Sequence, residues 1–124
     1  MEKLVLLSYG SGGELMRELI EKDYLKYLSN PILDELLDSA IFELSGKLAF
    51  TTDSYVITPI FFKGGDIGSL SVYGTANDLA VVGAKPLFIS LSFIIEEGLP
   101  IKDLHKILES ISKASKEINV NVVT

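Results

Sequence analysis

The 124-residue chain contains no cysteine, which excludes disulfides and thiolate metal sites and makes a cytoplasmic location the expectation. Histidine is almost as scarce. His105 is the single one, and it falls on the polar side of an amphipathic helix, where it reads as a surface residue. Long apolar runs are missing too: charges or Gly/Pro interrupt every stretch before the ~18 residues of a membrane span. The start, MEKLVLLSYGSGG, is too short in its apolar part and too soon acidic for a secretory signal. Bases are few, 11 Lys and Arg against 17 Asp and Glu, for a net charge of −6. A nucleic-acid backbone would be repelled, whereas a nucleotide is still bound if a divalent cation mediates the contact. Linkers, repeats and low-complexity segments are absent. With 48% hydrophobic residues, the chain reads as one domain, 1–124, with a real core.

What is present centres on FFKGGDIGSLSVYGTANDLAVVGAKP, residues 61–86. Gly64, Gly65 and Asp66 mark a loop, and a helix is predicted from about Ile67 to Val82. Gly83 is placed as a left-handed C-terminal cap and Pro86 blocks continuation. Apolar side chains wrap most of this helix, the pattern of one buried on several sides. Asn77 and Asp78 sit among them, and Gly74 in mid-helix costs roughly 1 kcal/mol relative to Ala. A buried carboxylate needs a partner. Asp78 is therefore either salt-bridged or capped, with Gly74 permitting close packing, or it faces a bound cation.

Upstream, Leu4–Leu7 reads as an edge strand, followed by the turn Gly10, Ser11, Gly12, Gly13. Ser11 and Glu14 have capping-box spacing for a helix that ends before Asn30-Pro31. Such a turn either holds a phosphate on backbone N–H groups or simply caps the helix, and it lacks a Walker lysine. A short helical turn is expected at Pro31–Leu37. Strands are expected over Ala40–Leu44 and Lys47–Ile57, joined by Ser45-Gly46. Asp53 is unfavourable inside its β-branched run: it lies on an exposed face or it has a ligand. Together Asp38, Asp53 and Asp78 are hard oxygen donors suited to Mg²⁺. Downstream, Leu87–Ile95 reads as a strand with Leu87, Ile89, Leu91, Phe93 and Ile95 on one face. An amphipathic helix follows Pro100, Asn119 can cap its end, and another strand begins at Val120.

GSGG at 10–13, TTDSYVITPIFFKGGDIG at 51–68, GTANDLAVVGAKP at 74–86 and SFIIEEGLP at 92–100 closely resemble the HypE family of hydrogenase maturation proteins. More broadly they resemble the N-terminal domain of the aminoimidazole ribonucleotide synthetase (PurM-like) superfamily. The resemblance covers essentially the whole chain. It implies an α/β (α+β type) fold, a mixed sheet with helices on one face, pairing into a barrel across a homodimer. It implies ATP and Mg²⁺ as cofactors. Asp38, Asp53 and Asp78 would hold the metal, while Gly10, Ser11, Gly12, Gly13, Gly64, Gly65, Asp66, Asn77 and Lys85 would serve nucleotide and phosphate. The implied activity is ATP-dependent dehydration of a C-terminal S-carboxamide-cysteine to a thiocyanate, for the cyanide ligands of [NiFe]-hydrogenase. HypF would donate the carbamoyl group and a HypC–HypD complex would accept the cyanide. Phosphorylating an amide oxygen makes it a good leaving group, and the transfer needs positioning and charge neutralisation more than a nucleophilic triad.

Departures from the family pattern are equally specific. A Gly-Asp-Thr-Lys segment is expected beyond Thr124, as are a C-terminal domain and a terminal cysteine, so the chain reads as a truncated N-terminal portion, inactive alone. Tyr9 stands where His is expected, Asp38-Ser39-Ala40 is a loose acidic pair, and Lys63 and Lys85 are the nearby bases. Two other readings stay open. The chain is a non-catalytic dimerisation module, or it belongs to another superfamily enzyme acting on selenophosphate, thiamine phosphate or a purine-precursor amide.

Overall fold

Helix α4 shows most directly how this sequence folds. Its apolar side chains recur at helical spacing, so Ile101, Leu104, Ile107, Leu108 and Ile111 form one buried face. Lys102, Lys106, Glu109 and Lys113 stay in water. The computed structural model describes residues 2–124. A 3-10 turn (Leu7–Gly10) leads into α1 (Glu14–Leu19), which continues through a π-helical turn (Ile20–Tyr24) into α2 (Leu25–Leu28). After a second 3-10 turn (Leu33–Glu35) come β1 (Phe61–Phe62), β2 (Gly65–Asp66) and α3 (Ile67–Val81). Then follow β3 (Phe88–Ile89), α4 (Ile101–Glu117) and β4 (Asn121–Val122). Among the described residues no helix is long and apolar enough to cross a membrane.

The strands form two separate two-stranded sheets of opposite sense. β1 and β2 form an antiparallel hairpin, while β3 and β4 run parallel with α4 as the crossover. The parallel ladder continues past the named strands through Val123 N–H to the Ile89 carbonyl and Leu91 N–H to Thr124. Of the strand expected over Leu87–Ile95 only Phe88–Ile89 is regular strand. Ile89, Leu91, Phe93 and Ile95 turn toward the core as their alternation predicts, while Leu87, at the start of the run, is exposed. The segment Leu4–Leu7, expected as an edge strand, makes only an isolated bridge from Leu4 to Pro100, with Val5 and residues 98–99 exchanging backbone hydrogen bonds, and Leu7 already begins the 3-10 turn. Helices α3 and α4 cross closely at Gly68, where an added Cβ would lie 2.5 Å from the Ile107 carbonyl oxygen. Val72, Leu104, Leu108 and Ile111 fill the centre.

Both long helices end in the same device. Gly83 and Asn119 adopt left-handed conformations. The N–H groups beyond each return to the last helical turn, Ala84 to Leu79 and Val120 to Ser115. Both caps match the sequence reading.

Three expectations are corrected. The strands at Ala40–Leu44 and Lys47–Ile57 have no ladder partner: residues 41–50 are all exposed and carry no regular structure. An extended segment becomes a strand only when a neighbour takes up its N–H and C=O groups, and this chain supplies none. Helix α3 is not buried on several sides; Val81 is 84% exposed and only Gly68 and Val72 are buried. Its outer face meets no other element. The Ser11–Glu14 capping box does not form. Gly13 is the N-cap without a side-chain bond, and the Ser11 hydroxyl donates back to the Ser8 carbonyl at 2.8 Å.

Candidate nucleotide and metal site

The N-terminus of α3 is organised by Asp66. Its carboxylate accepts the Ser69 N–H at 2.9 Å, and the Ser69 hydroxyl accepts the Asp66 N–H in return. The second carboxylate oxygen accepts from the Ser110 hydroxyl of α4. Asp66 is buried and both its carboxylate oxygens accept hydrogen bonds, so its side chain fixes α3 against α4. Lys63 and Gly64 make the β1–β2 turn beside it, and Gly65 opens β2.

Two turns further along α3, Gly74 leaves a notch filled by Tyr55. An added Cβ there would collide with the Tyr55 hydroxyl. That hydroxyl donates to Asp53 Oδ2 at 3.0 Å and lies 3.4 Å from Thr75 Oγ1. Asp78, one turn beyond Gly74, shares that helix face. Burial first of all, then the bond to Asp53 and the charges of Asp53 and Asp78, hold the Tyr55 hydroxyl above its ordinary pKa, against an opposing bond from Thr75. Two carboxylates from distant parts of the sequence thus act on one hydroxyl. Both are exposed, as is Asn77, so Asp78 is not a buried charge in need of rescue. Lys85 extends into solvent from the turn that ends α3.

Asp38 stands elsewhere. It lines an open groove of about 1150 Å³ with Gly10, Gly12 and Gly13 of the glycine turn. Among the described residues, no group of three or more His, Cys, Asp or Glu side chains comes close enough to hold a metal ion. The structure therefore places Asp53 and Asp78 about one tyrosine hydroxyl, and Asp38 on the groove with the glycine turn. A pair of exposed carboxylates suits Mg²⁺, which takes one or two carboxylates and completes its shell with water and substrate phosphates.

Two connections escaped the sequence reading. His105 is not a free surface residue: its Nε2 lies 2.6 Å from Oδ1 of the buried Asp23, and its ring leans on Tyr27. The pair ties the π-helical turn to α4. Asn30 accepts from the Ile32 and Leu33 N–H groups and donates to the carbonyls of Leu28 and Val122. The Asn30 bonds to Ile32 and Leu33 form a local Asx turn, but its bond to Val122 and the His105–Asp23 pair join distant parts of the chain, so no spacing reveals those partners.

The parallel β3–α4–β4 unit, with α3 packed on α4, makes this a domain of the α/β class. Residues 37–124 match the family of AIR synthase related proteins, N-terminal domain, and the chain belongs to it. It is 50% identical over 121 residues to the carbamoyl dehydratase HypE of Azotobacter vinelandii, covering 97% of this chain and 36% of that protein. A crystal structure of hydrogenase maturation protein HypE in complex with ATP superposes with a TM-score of 0.94 at 49% identity, covering 96% of this chain and 36% of that one. HypE from a HypE–HypF complex superposes at 0.59 with 44% identity, over 85% of this chain and 34% of that one. The chain thus spans about 36% of the length of the relative it matches in sequence.

Proposed function

We propose that this chain is the N-terminal ATP-binding and dimerisation unit of a HypE-type carbamoyl dehydratase, acting in the cytoplasm on cyanide-ligand synthesis for [NiFe]-hydrogenase. The observation that carries this reading is the likeness, over nearly the whole chain, to a HypE structure that holds ATP. Asp53 and Asp78 would hold Mg²⁺, with Asn77 beside them. The glycine turn at 10–13 and Asp38 line the open groove, where backbone N–H groups would meet phosphate oxygens; Lys85, at the end of α3, would be a further base. Bound Mg²⁺ would supply charge neutralisation on the transferring phosphoryl group. The chain's own part is to position: Asp66 holds the start of α3, and the Gly74 notch seats the segment bearing Asp53. With no cysteine present, the thiol carrying the carboxamide lies outside these 124 residues. HypF would deliver the carbamoyl group and a HypC–HypD complex would receive the product. Domain organisation follows: 1–124 serves as the nucleotide half, and the activity needs the remainder.

Calorimetry on the full-length protein tests this. ATP is expected to bind with Mg²⁺ and to lose at least about tenfold in affinity in chelator, or when Asp78→Asn removes one charge. Equal binding with and without the cation would overturn the assignment of the aspartates.

A further inference from the structure

We infer that Tyr55 is a positioning residue for the Asp53–Asp78 pair: its hydroxyl, seated in the Gly74 notch, sets where the Asp53 carboxylate stands relative to α3. The inference rests on the proposed reading that these two aspartates hold a divalent cation.

Apart from the Phe42–Phe88 ring contact, with centroids 4.4 Å apart, the segment carrying Asp53 has little else to fix it. Among the described residues, no backbone hydrogen bond joins residues 37–59 to the rest of the chain. The one side-chain hydrogen bond that leaves this segment runs from Tyr55 to Thr75 on α3. Tyr55 also reaches back two residues to Asp53 Oδ2 at 3.0 Å. Asp53 is further oriented by the Ser54 N–H, which donates to its other oxygen at 2.9 Å. One phenol therefore links three things: the carboxylate of Asp53, the hydroxyl of Thr75, and the helix face that carries Asp78.

Gly74 makes this possible. Any side chain there would displace the phenol oxygen, so the missing Cβ serves the contact directly. A hydrogen bond to an ionised carboxylate, when lost, changes the energetics by about tenfold in an equilibrium constant. Positioning also has a sharp distance dependence, because two carboxylates must approach one ion at 2.0–2.1 Å for Mg²⁺ in near-octahedral geometry.

The test uses Mn²⁺ as the probe ion, read by its electron paramagnetic resonance signal, in the full-length protein with a non-hydrolysable ATP analogue. Tyr55→Phe keeps the ring and removes the hydroxyl; Gly74→Ala keeps the hydroxyl and fills its seat. Both are expected to weaken Mn²⁺ binding about tenfold, while Tyr55→Phe leaves the melting temperature nearly unchanged. Asp53→Asn serves as the reference for loss of a ligand. If Tyr55→Phe binds Mn²⁺ like the parent while Asp53→Asn does not, the positioning role is wrong and the aspartate assignment survives. A lowered melting temperature with unchanged Mn²⁺ affinity in Tyr55→Phe would make Tyr55 merely structural and overturn the inference. If Asp53→Asn itself binds Mn²⁺ normally, the underlying reading fails and the inference falls with it.

Discussion

At the scale of single residues, charge and burial are coupled through a few side chains that act across elements. Asp23 is the clearest. It is buried in the π-helical turn, paired with His105, and it adds to the effect of burial on its neighbour Tyr24. Burial first, then the Asp23 charge, push the Tyr24 hydroxyl up to about 12. The folded state keeps this proton where the unfolded chain has released it, so the associated stability is present below pH ~10 and lost as pH rises through ~12. Its size is about 3 kcal/mol on that basis. Tyr24→Phe is expected to lose less stability between pH 9 and 11.5 than the parent, measured by urea unfolding. Identical losses in both proteins would count against a burial-driven shift.

At the scale of elements, the pairing of α3 with α4 carries the core, and its closeness depends on one missing side chain. Gly68 brings the α3 backbone within reach of the Ile107 carbonyl. Gly68→Ala is expected to destabilise the fold by about 2 kcal/mol, since overpacking a tight contact typically costs 1–3 kcal/mol. The obstructing atom is backbone, and a backbone carbonyl yields less readily than a flexible side chain. Chemical denaturation of the variant gives the value directly, and a change below about 0.5 kcal/mol, the ordinary range for surface substitutions, would mean that the helices can slide apart without loss. Asp66 reinforces the same crossing from its cap position by accepting from Ser110.

At the scale of the whole molecule, this chain exposes more apolar surface than it can cover. Phe50 is 93%, Val56 96% and Ile94 100% exposed, and the segment around the first two has unpaired backbone. Exposed apolar side chains and an unpaired edge together favour association, and pairing with a second copy would supply both the missing ladder and the missing cover. Homodimerisation is therefore expected. Sedimentation at roughly tens of micromolar, a working range for an interface of ordinary size, should show a dimer, and Phe50→Asp should shift it toward monomer. A parent protein that sediments only as monomer would contradict this.

Much of this was legible before the structure. Helix α4, the span and both ends of α3, the left-handed caps at Gly83 and Asn119, and the inward face of Ile89, Leu91, Phe93 and Ile95 all follow from local periodicity and cap chemistry, which neighbouring residues determine among themselves. The GSGG, TTDS, GGDIG and NDLA blocks carried the family for the same reason. Tertiary structure alone decided what depends on distant partners. It engaged Asp66 in a cap and a bond to Ser110, paired His105 with Asp23, placed Tyr55 in the Gly74 notch, and set Asp38 apart from Asp53 and Asp78. It also left 40–57 extended but unpaired, because strand propensity lies in the segment whereas strand pairing requires a neighbour whose N–H and C=O groups come from elsewhere.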